Sequence, residues 1–315
     1  MPSPSVADAF RAHERHLWGL AYRMTGSAAD ADDVVQETFA RAIERPPARL
    51  DAPLRPWLAH VALNVARDAL RRRKRRRYVG PWLPAPVETA DLDPPDLEQQ
   101  PDAASGAEAR YDLRESASYA FLVALEALSP QQRAVLLLRD VLDYTVRETA
   151  GALAVSEGNV KTTHHRARRA MRAYDRTRLV PSTQLGEATR AALERFLVAI
   201  VGHDAAAAQA CLAEAVRAVS DGGGEYLAAL RPVRGRDRVA RFLVGLQKKV
   251  HRGGRFALRS LNGLPALVAE YEEPVDRWAP RVVIRCEVDA TGMIREVHVV
   301  VASAKLTGVR PVDGL

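Results

Sequence analysis

The stretch TVRETAGALAVSEGNVKTTHHRARRAM, residues 145–171, decides how the chain is read. It has the pattern of two helices joined by a tight turn at Ala154, Val155 and Ser156, with Ser156 placed to cap the second helix. Glu157, Asn159, Lys161, Thr162 and His165 fall in the first turns of that second helix. In a helix-turn-helix this is the part that enters a DNA major groove. His164 and His165 are neighbours, so their side chains point about 100° apart and make a poor metal pair. DNA contact or plain exposure is the better account of both.

Outward from this motif, helical periodicity returns at about Leu113, and a second helical region fills the chain up to about Arg77. In VVQETFARAIE, residues 34–44, apolar residues recur at Val35, Phe39, Ala42 and Ile43, one face of a helix with a polar opposite side. A following helix, roughly Pro56 to Arg76, puts Leu58, Ala62, Val65 and Ala69 on one side and Asn64, Arg67, Asp68 and Arg71 on another. It ends in seven consecutive basic residues, Arg71 to Arg77, a run that binds any polyanion and by itself selects no sequence.

Between these regions, residues 78–118 carry prolines 81, 84, 86, 94, 95 and 101 and read as a linker. From Ala85 to Ser118 nine acids face only Arg110 and Arg114, so the chain's formal charge of +7 is concentrated elsewhere. After Pro181 a helix, Glu187 to Val201, gives way to β pattern in FALRSL, PALVAEYE, RVVIRCEV and IREVHVVVAS. Strands following helices imply a separate α+β domain. Two cysteines, Cys211 and Cys286, are too few for a disulfide framework or a four-ligand zinc site. The N-terminus lacks an apolar leader and no window is apolar enough for a membrane span, so a cytoplasmic protein is expected.

Two helical modules in this order, DADDVVQETFARAIE with RPWLAHVALNVARDALRRRKR and then LSPQQRAVLLLRDVLDYTVRETAGALAVSEGNVKTTHHRARRAMR, resemble the extracytoplasmic-function sigma factors of bacterial RNA polymerase. The resemblance covers about half the chain. It implies a sigma-2-like module at 1–77, a linker at 78–118 and a sigma-4-like helix-turn-helix module at 119–180. It also implies partners: core RNA polymerase, through the β′ clamp helices and the β subunit, and promoter DNA. Asp33, Gln36, Glu37 and Arg41 then form the polymerase-docking face. Asn64, Arg67, Asp68 and Arg71 form the face that opens the promoter −10 element, and Glu157, Asn159, Lys161, Thr162 and His165 read the −35 element. The loop ERPPARLDAPLRP stands where the family selects a flipped base, and Trp57 reads as a core aromatic. Where the family often has glycine in the turn, this chain has Ala154, at a cost of about 1 kcal/mol if the turn is left-handed.

Three short strings narrow the resemblance to sigma factors that carry a C-terminal SnoaL-like (NTF2-like) α+β cone: YVGPWLP at 78–84, DGGG at 221–224, and Asn262, Gly263 and Pro265. Ala85 and Glu225 depart from that subgroup's usual acidic and basic residues. The expected fold is multidomain and mainly α, with the cone at 187–303 and a tail at 304–315. The cone is expected to regulate the promoter modules in cis through Trp82, Leu83 and Pro84 against Asp221, Gly222, Gly223 and Gly224. It leaves room for a small ligand. Asp221, His251 and His298 do not pair into an acid–base set, so no enzyme, catalytic residue, cofactor or metal is expected. A ligand-responsive helix-turn-helix regulator is the alternative reading, and it leaves the first module unexplained.

Overall fold

The protein is described by a computed structural model covering residues 6–46, 54–75, 78–91, 111, 113–249, 253–272 and 277–312. Two compact units result: Met1–Arg77 with Asp91–Arg178, and Tyr78–Ala90 with Leu179–Leu315. The base-selecting loop and Arg76–Arg77 lie largely or wholly outside the described residues.

The first unit begins with three helices packed on one another, α1 (Val6–Thr25), α2 (Ala28–Glu44) and α3 (Leu54–Arg75). Ser27 caps α2 by accepting from the Asp30 amide at 3.1 Å. Val34, Val35, Phe39 and Ala42 bury the α2 stripe against the bundle, while Ile43 in its last turn is 65% exposed. From α3 come Leu58, Ala62, Leu63, Val65, Ala66 and Leu70.

The helices α4 (Leu113–Ala117), α5 (Tyr119–Leu125), α6 (Pro130–Asp140), α7 (Val146–Leu153) and α8 (Glu157–Thr177) follow. Capping boxes start α6 at Ser129 with Gln132 and α7 at Thr145 with Glu148, which satisfies amides that a helix leaves unbonded. Ala154 closes α7 in the left-handed conformation, φ 51° and ψ 48°, and Ser156 caps α8. Both helical groups share one unit because α3 packs on α6 and α7, and α1 on α6. Arg133, 2% exposed, clasps the join. It donates to the carbonyls of Met24 and Leu125, each at 2.8 Å, and to Glu126, which also takes both bonds from Arg73 at about 3 Å.

The second unit is a six-stranded sheet in the order β2-β1-β6-β5-β4-β3. Its elements are α9 (Thr183–Val201), α10 (Ala205–Ala210), β1 (Leu212–Asp221), β2 (Val233–Arg234), α11 (Arg236–Gln247), β3 (Arg255–Leu261), β4 (Leu264–Glu270), β5 (Arg281–Val288) and β6 (Ile294–Val300). Only the β1–β6 pair is parallel among the pairs in this sheet. Phe196 and Leu193 of α9, Val239 and Leu243 of α11, and Val216, Cys286 and Val297 of the sheet share one core. This is the α+β cone expected from the sequence, with β1, β2 and α11 added to the four strands that alternation alone identifies.

Two stretches belong to this unit although their sequence reads otherwise. Within the span read as linker, residues 78–90 pack here, and Glu88 bridges to Leu261 at the end of β3. Within the span read as tail, Leu306, Val309 and Val312 are buried, and Glu88 donates its amide to the Gly308 carbonyl at 3.2 Å.

Because Ala154 carries a Cβ into a left-handed turn, Ala154→Gly should relieve strain at that position. We expect a gain of about 0.5–1 kcal/mol in urea denaturation followed by circular dichroism; an unchanged or lowered midpoint contradicts the assignment of strain.

Candidate functional site

Three surfaces of the first unit carry the residues singled out by sequence. On α2, Asp33, Gln36, Glu37 and Arg41 are all exposed, and Glu37 and Arg41 pair at 2.8 Å, one turn apart. They line a groove of about 550 Å³ whose other wall is Asp68, Ala69 and Arg72 of α3. One side of this groove is acidic and the other is mixed, so it suits a partner helix that presents cations and apolar groups together.

The α3 face is more constrained. Arg67 donates to Asn64 at 3.2 Å, Asn64 stands 3.1 Å from His60 Nε2, and His60 Nδ1 bonds the Ala152 carbonyl of α7. A chain of polar contacts therefore runs from α3 to the first helix of the helix-turn-helix. Arg67 is 8% exposed; burial lowers its pKa, and Arg71 lowers it further. Asp68 and Arg71 pair nearer the surface at 2.9 Å. Trp57, read as a core residue, is half-buried and lines a second groove with Arg41, His60 and Asn64. Of the basic run, Arg73 is held by Glu126 and the Thr25 carbonyl, whereas Arg71, Arg72, Lys74 and Arg75 are exposed.

The third surface is the start of α8, where Glu157, Asn159, Lys161, Thr162 and His165 are all exposed. Asn159 is steadied by bonds from Gln131 at 2.8 Å and Thr163 at 3.2 Å. His164 departs from its sequence reading. It turns inward to Asp140 at 2.8 Å, and Arg168 joins the same carboxylate at 2.8 Å. Asp140 is almost fully buried at the end of α6, so this triad fixes the rotation of α8 and with it which residues face outward. Burial pushes the Asp140 carboxyl up, but the bonds from His164 and Arg168 outweigh that and hold it below the usual carboxylate range.

In the second unit, Asp221 ends β1 fully buried. Its carboxylate accepts from the Leu83 amide at 2.6 Å, the Gly223 amide at 3.1 Å, the Tyr78 hydroxyl and the Lys305 ammonium. Four donors fill the roughly four lone-pair positions of a carboxylate. Lys305, 6% exposed, also donates to the Leu83 carbonyl and sits over the rings of Trp82 at 4.0 Å and Tyr78 at 4.7 Å. Leu83 and Pro84 are buried. Gly222 is tight: a Cβ there would meet the Tyr226 carbonyl at 2.7 Å. Gly223 and Gly224 take positive φ, and a Cβ on Gly224 would meet Val79 at 3.1 Å.

Further along, Asn262 and Gly263 form the two-residue left-handed turn between β3 and β4. Asn262 exchanges two bonds with the Val87 backbone, at 3.0 and 3.2 Å, and the Gly263 amide donates to Thr89 at 3.0 Å. Two of the three short strings thus meet each other, and the third bonds the same Tyr78–Ala90 segment at Val87 and Thr89, all within one unit. The residue that sequence reasoning missed is Lys305, which lies in a span without pattern; only the Asp221 carboxylate, buried and in need of a cation, points to it.

Acid–base chemistry finds no support at the residues considered for it. Asp221 is saturated, and His251 lies outside the described residues. His298 is buried 3.0 Å from Glu296, whose carboxyl burial pushes up but His298 and Arg217 hold down at about 2. Glu287, Glu296 and His298 cluster within 4.8 Å, yet arginines 295 and 217 already neutralise the two carboxylates. No helix among the described residues is long and apolar enough to cross a membrane.

Comparison with known proteins identifies the family of the helical modules. Residues 9–76 match the family model Sigma-70 region 2, and residues 118–171 match Sigma-70, region 4. The chain is 35% identical over 261 residues to the ECF RNA polymerase sigma factor SigJ of Mycobacterium tuberculosis, covering 81% of this chain and 78% of that one. It is 38% identical over 170 residues to SigG of the same species, covering 50% of this chain and 45% of that one. The crystal structure of M. tuberculosis SigJ superposes with a TM-score of 0.71 at 28% identity, covering 98% of this chain and all of that one.

The Asp140 triad generates a stability test with a defined sign. A carboxylate whose pKa is lowered on folding stabilises above its unfolded value of about 3.9, and the contribution is lost as pH falls through the lowered value. Asp140→Asn should cost about 2–4 kcal/mol at pH 7, and the gap to the parent chain should narrow below about pH 4. A gap that stays constant down to pH 2 in denaturant titrations would remove the ionic account.

Proposed function

The chain belongs to the extracytoplasmic-function RNA polymerase sigma factors, which bind core polymerase and direct promoter-specific initiation, and we propose that its cone restrains that activity through the Tyr78–Ala90 segment. The observation that carries the proposal is the Asp221 carboxylate, which takes two of its four donors from this segment. The segment lies in the chain between α3 and α4, so whatever holds it also limits the connection between the −10 and −35 modules.

The restraint acts in the inhibitory direction. Arg67 is buried and Asn64 is tied through His60 to α7, so their use on DNA requires α3 to part from α7. Parting needs slack in the connection. Thirteen residues, Tyr78–Ala90, are fixed to the cone, and when released they span up to about 45 Å at 3.3–3.6 Å per residue. A docked segment therefore removes those thirteen residues from the free connection between the modules, and a released one returns them. Its leverage equals the difference in docking free energy between the two states. About 1–3 kcal/mol corresponds to several-fold to about a hundredfold in activity.

Within this reading, Asp33, Gln36, Glu37 and Arg41 meet the clamp helices of the polymerase β′ subunit, while the helix-turn-helix module meets the β subunit. Asn64, Arg67, Asp68 and Arg71 act on the opened −10 strand, where guanidinium groups hold phosphates and an amide pairs with a base edge. Glu157, Asn159, Lys161, Thr162 and His165 read the −35 major groove. The alternative, a ligand-responsive helix-turn-helix regulator, gives no use to the Sigma-70 region 2 match at 9–76.

Two experiments test the reading. Exchanging Glu37→Lys together with Arg41→Glu keeps an ion pair one turn apart, so α2 stays folded. Holoenzyme formation in a pull-down should nevertheless fall at least tenfold, and unchanged binding refutes the docking face. For the restraint, Trp82→Ala and Lys305→Met should each raise promoter-dependent transcription several-fold at equal protein level. In the same assays Lys161→Ala should weaken −35 binding and shrink its salt dependence by about one phosphate contact. Latch variants that initiate like the parent chain dispose of the restraint without touching the sigma assignment.

A further inference from the structure

Inside the cone is a cavity of about 370 Å³ that no role above uses. Its walls are apolar: Phe196 of α9, Phe242 and Leu243 of α11, Trp278, and Val282 and Val299 of the sheet. The polar residues among the described lining are few: Ser220, Gln247, Lys249 and Tyr271. Burial pushes the Tyr271 phenol up, so it stays protonated and available as a donor. Lys249 is the one charged lining side chain among the described residues, and it is exposed at the end of α11. Among the described lining residues there is no carboxylate or imidazole.

This chemistry is selective. An apolar chamber with one cation at its edge favours an apolar body bearing one anionic group, and it disfavours a cationic amphiphile, for which the described lining residues offer no counter-charge. At about 30 Å³ for each water-sized group, the volume holds roughly twelve non-hydrogen atoms. We propose that the cone is a receptor site for a small amphiphilic monoanion, of the size and class of a medium-chain carboxylate, with its apolar part against Phe196, Phe242 and Trp278 and its head group at Lys249.

The site goes beyond the restraint described above and does not depend on it. The two are nonetheless adjacent: Ser220 lines the cavity and Asp221 follows it on β1, while Val301, also in the lining, donates its amide to the Asp221 carbonyl at 2.9 Å. An occupant therefore touches the strands from which the latch is built.

The test uses the full chain and decanoate, which has twelve non-hydrogen atoms, at concentrations below its micelle threshold. Decanol and decylamine serve as neutral and cationic counterparts. Isothermal titration should show saturable one-to-one binding of decanoate, with decylamine at least tenfold weaker. Lys249→Glu, an exposed change that leaves the fold intact, should weaken decanoate about three- to tenfold and leave decanol unchanged. Ala229→Trp places an indole in the cavity and should abolish binding of both, with the melting curve of the variant checked against the parent. Binding of decanoate that survives Ala229→Trp, or decylamine that binds as tightly as decanoate, or no binding at all, overturns the proposal. None of these results bears on the latch, because binding and transcription are read separately.

Discussion

A carboxylate taken fully out of water has to be surrounded by donors, and in the second unit everything turns on how Asp221 meets that demand. Removing such a group from solvent without partners would cost several kcal/mol. The cone supplies one amide, from Gly223, and one ammonium, from Lys305. The remaining two positions are filled by Tyr78 and Leu83, which precede the cone by more than a hundred residues in the chain. The glycines of the turn matter for the same reason. Tyr78 and Val79 approach Gly223 and Gly224 closely, and both glycines take positive φ, so a side chain at either would be crowded and strained where the segment reaches the acid.

The first unit solves the opposite problem with the same chemistry. There the buried group is a cation, Arg133, whose two terminal nitrogens donate to two carbonyls and to Glu126. The Met24 carbonyl comes from the end of α1, so the guanidinium ties the −10 module to the helix before the helix-turn-helix. Burial lowers the pKa of this arginine while Glu126, seven residues earlier in the chain, raises it. Asp140 plays a local part instead, setting the roll of α8 so that His164 faces in and His165 faces out.

Much of this was legible in the sequence. The helix-turn-helix, its caps and the exposed row from Glu157 to His165 follow from turn chemistry and helical spacing, which are local. Strands β3 to β6 follow from alternating apolar residues. Strand β1 was not legible, because LAEAVRAVSD carries three alanines and a glutamate, residues that favour helix; pairing with β6 overrides that preference. Arg133, inside the apolar run QQRAVLLLR, looks like a surface residue until its distant carbonyls are known. Lys305 was invisible for a related reason: its role is set by a carboxylate 84 positions away, and no periodicity encodes that separation. Proline content made residues 78–90 read as linker, whereas prolines equally suit an extended segment that lies along a sheet edge without donating every amide.

The polar and apolar parts of the latch have different jobs. Leu83 and Val87 are buried to within 2% of completely, and each contributes up to about 1.5–3 kcal/mol when removed from water. That is the attraction, and it is indifferent to register. Asp221 and Asn262 make directional bonds to Leu83 and Val87 and so fix which residues enter, but their net contribution is small because water can replace the segment's donors once it leaves. A contact built in this way is specific without being permanent. Its strength rests on the apolar side chains that the segment buries, Leu83, Ala85 and Val87 among them, whereas the Arg133 clasp holds a guanidinium that is itself buried. The cone segment is therefore the element suited to graded adjustment, and the joint between the two promoter modules is suited to opening all at once.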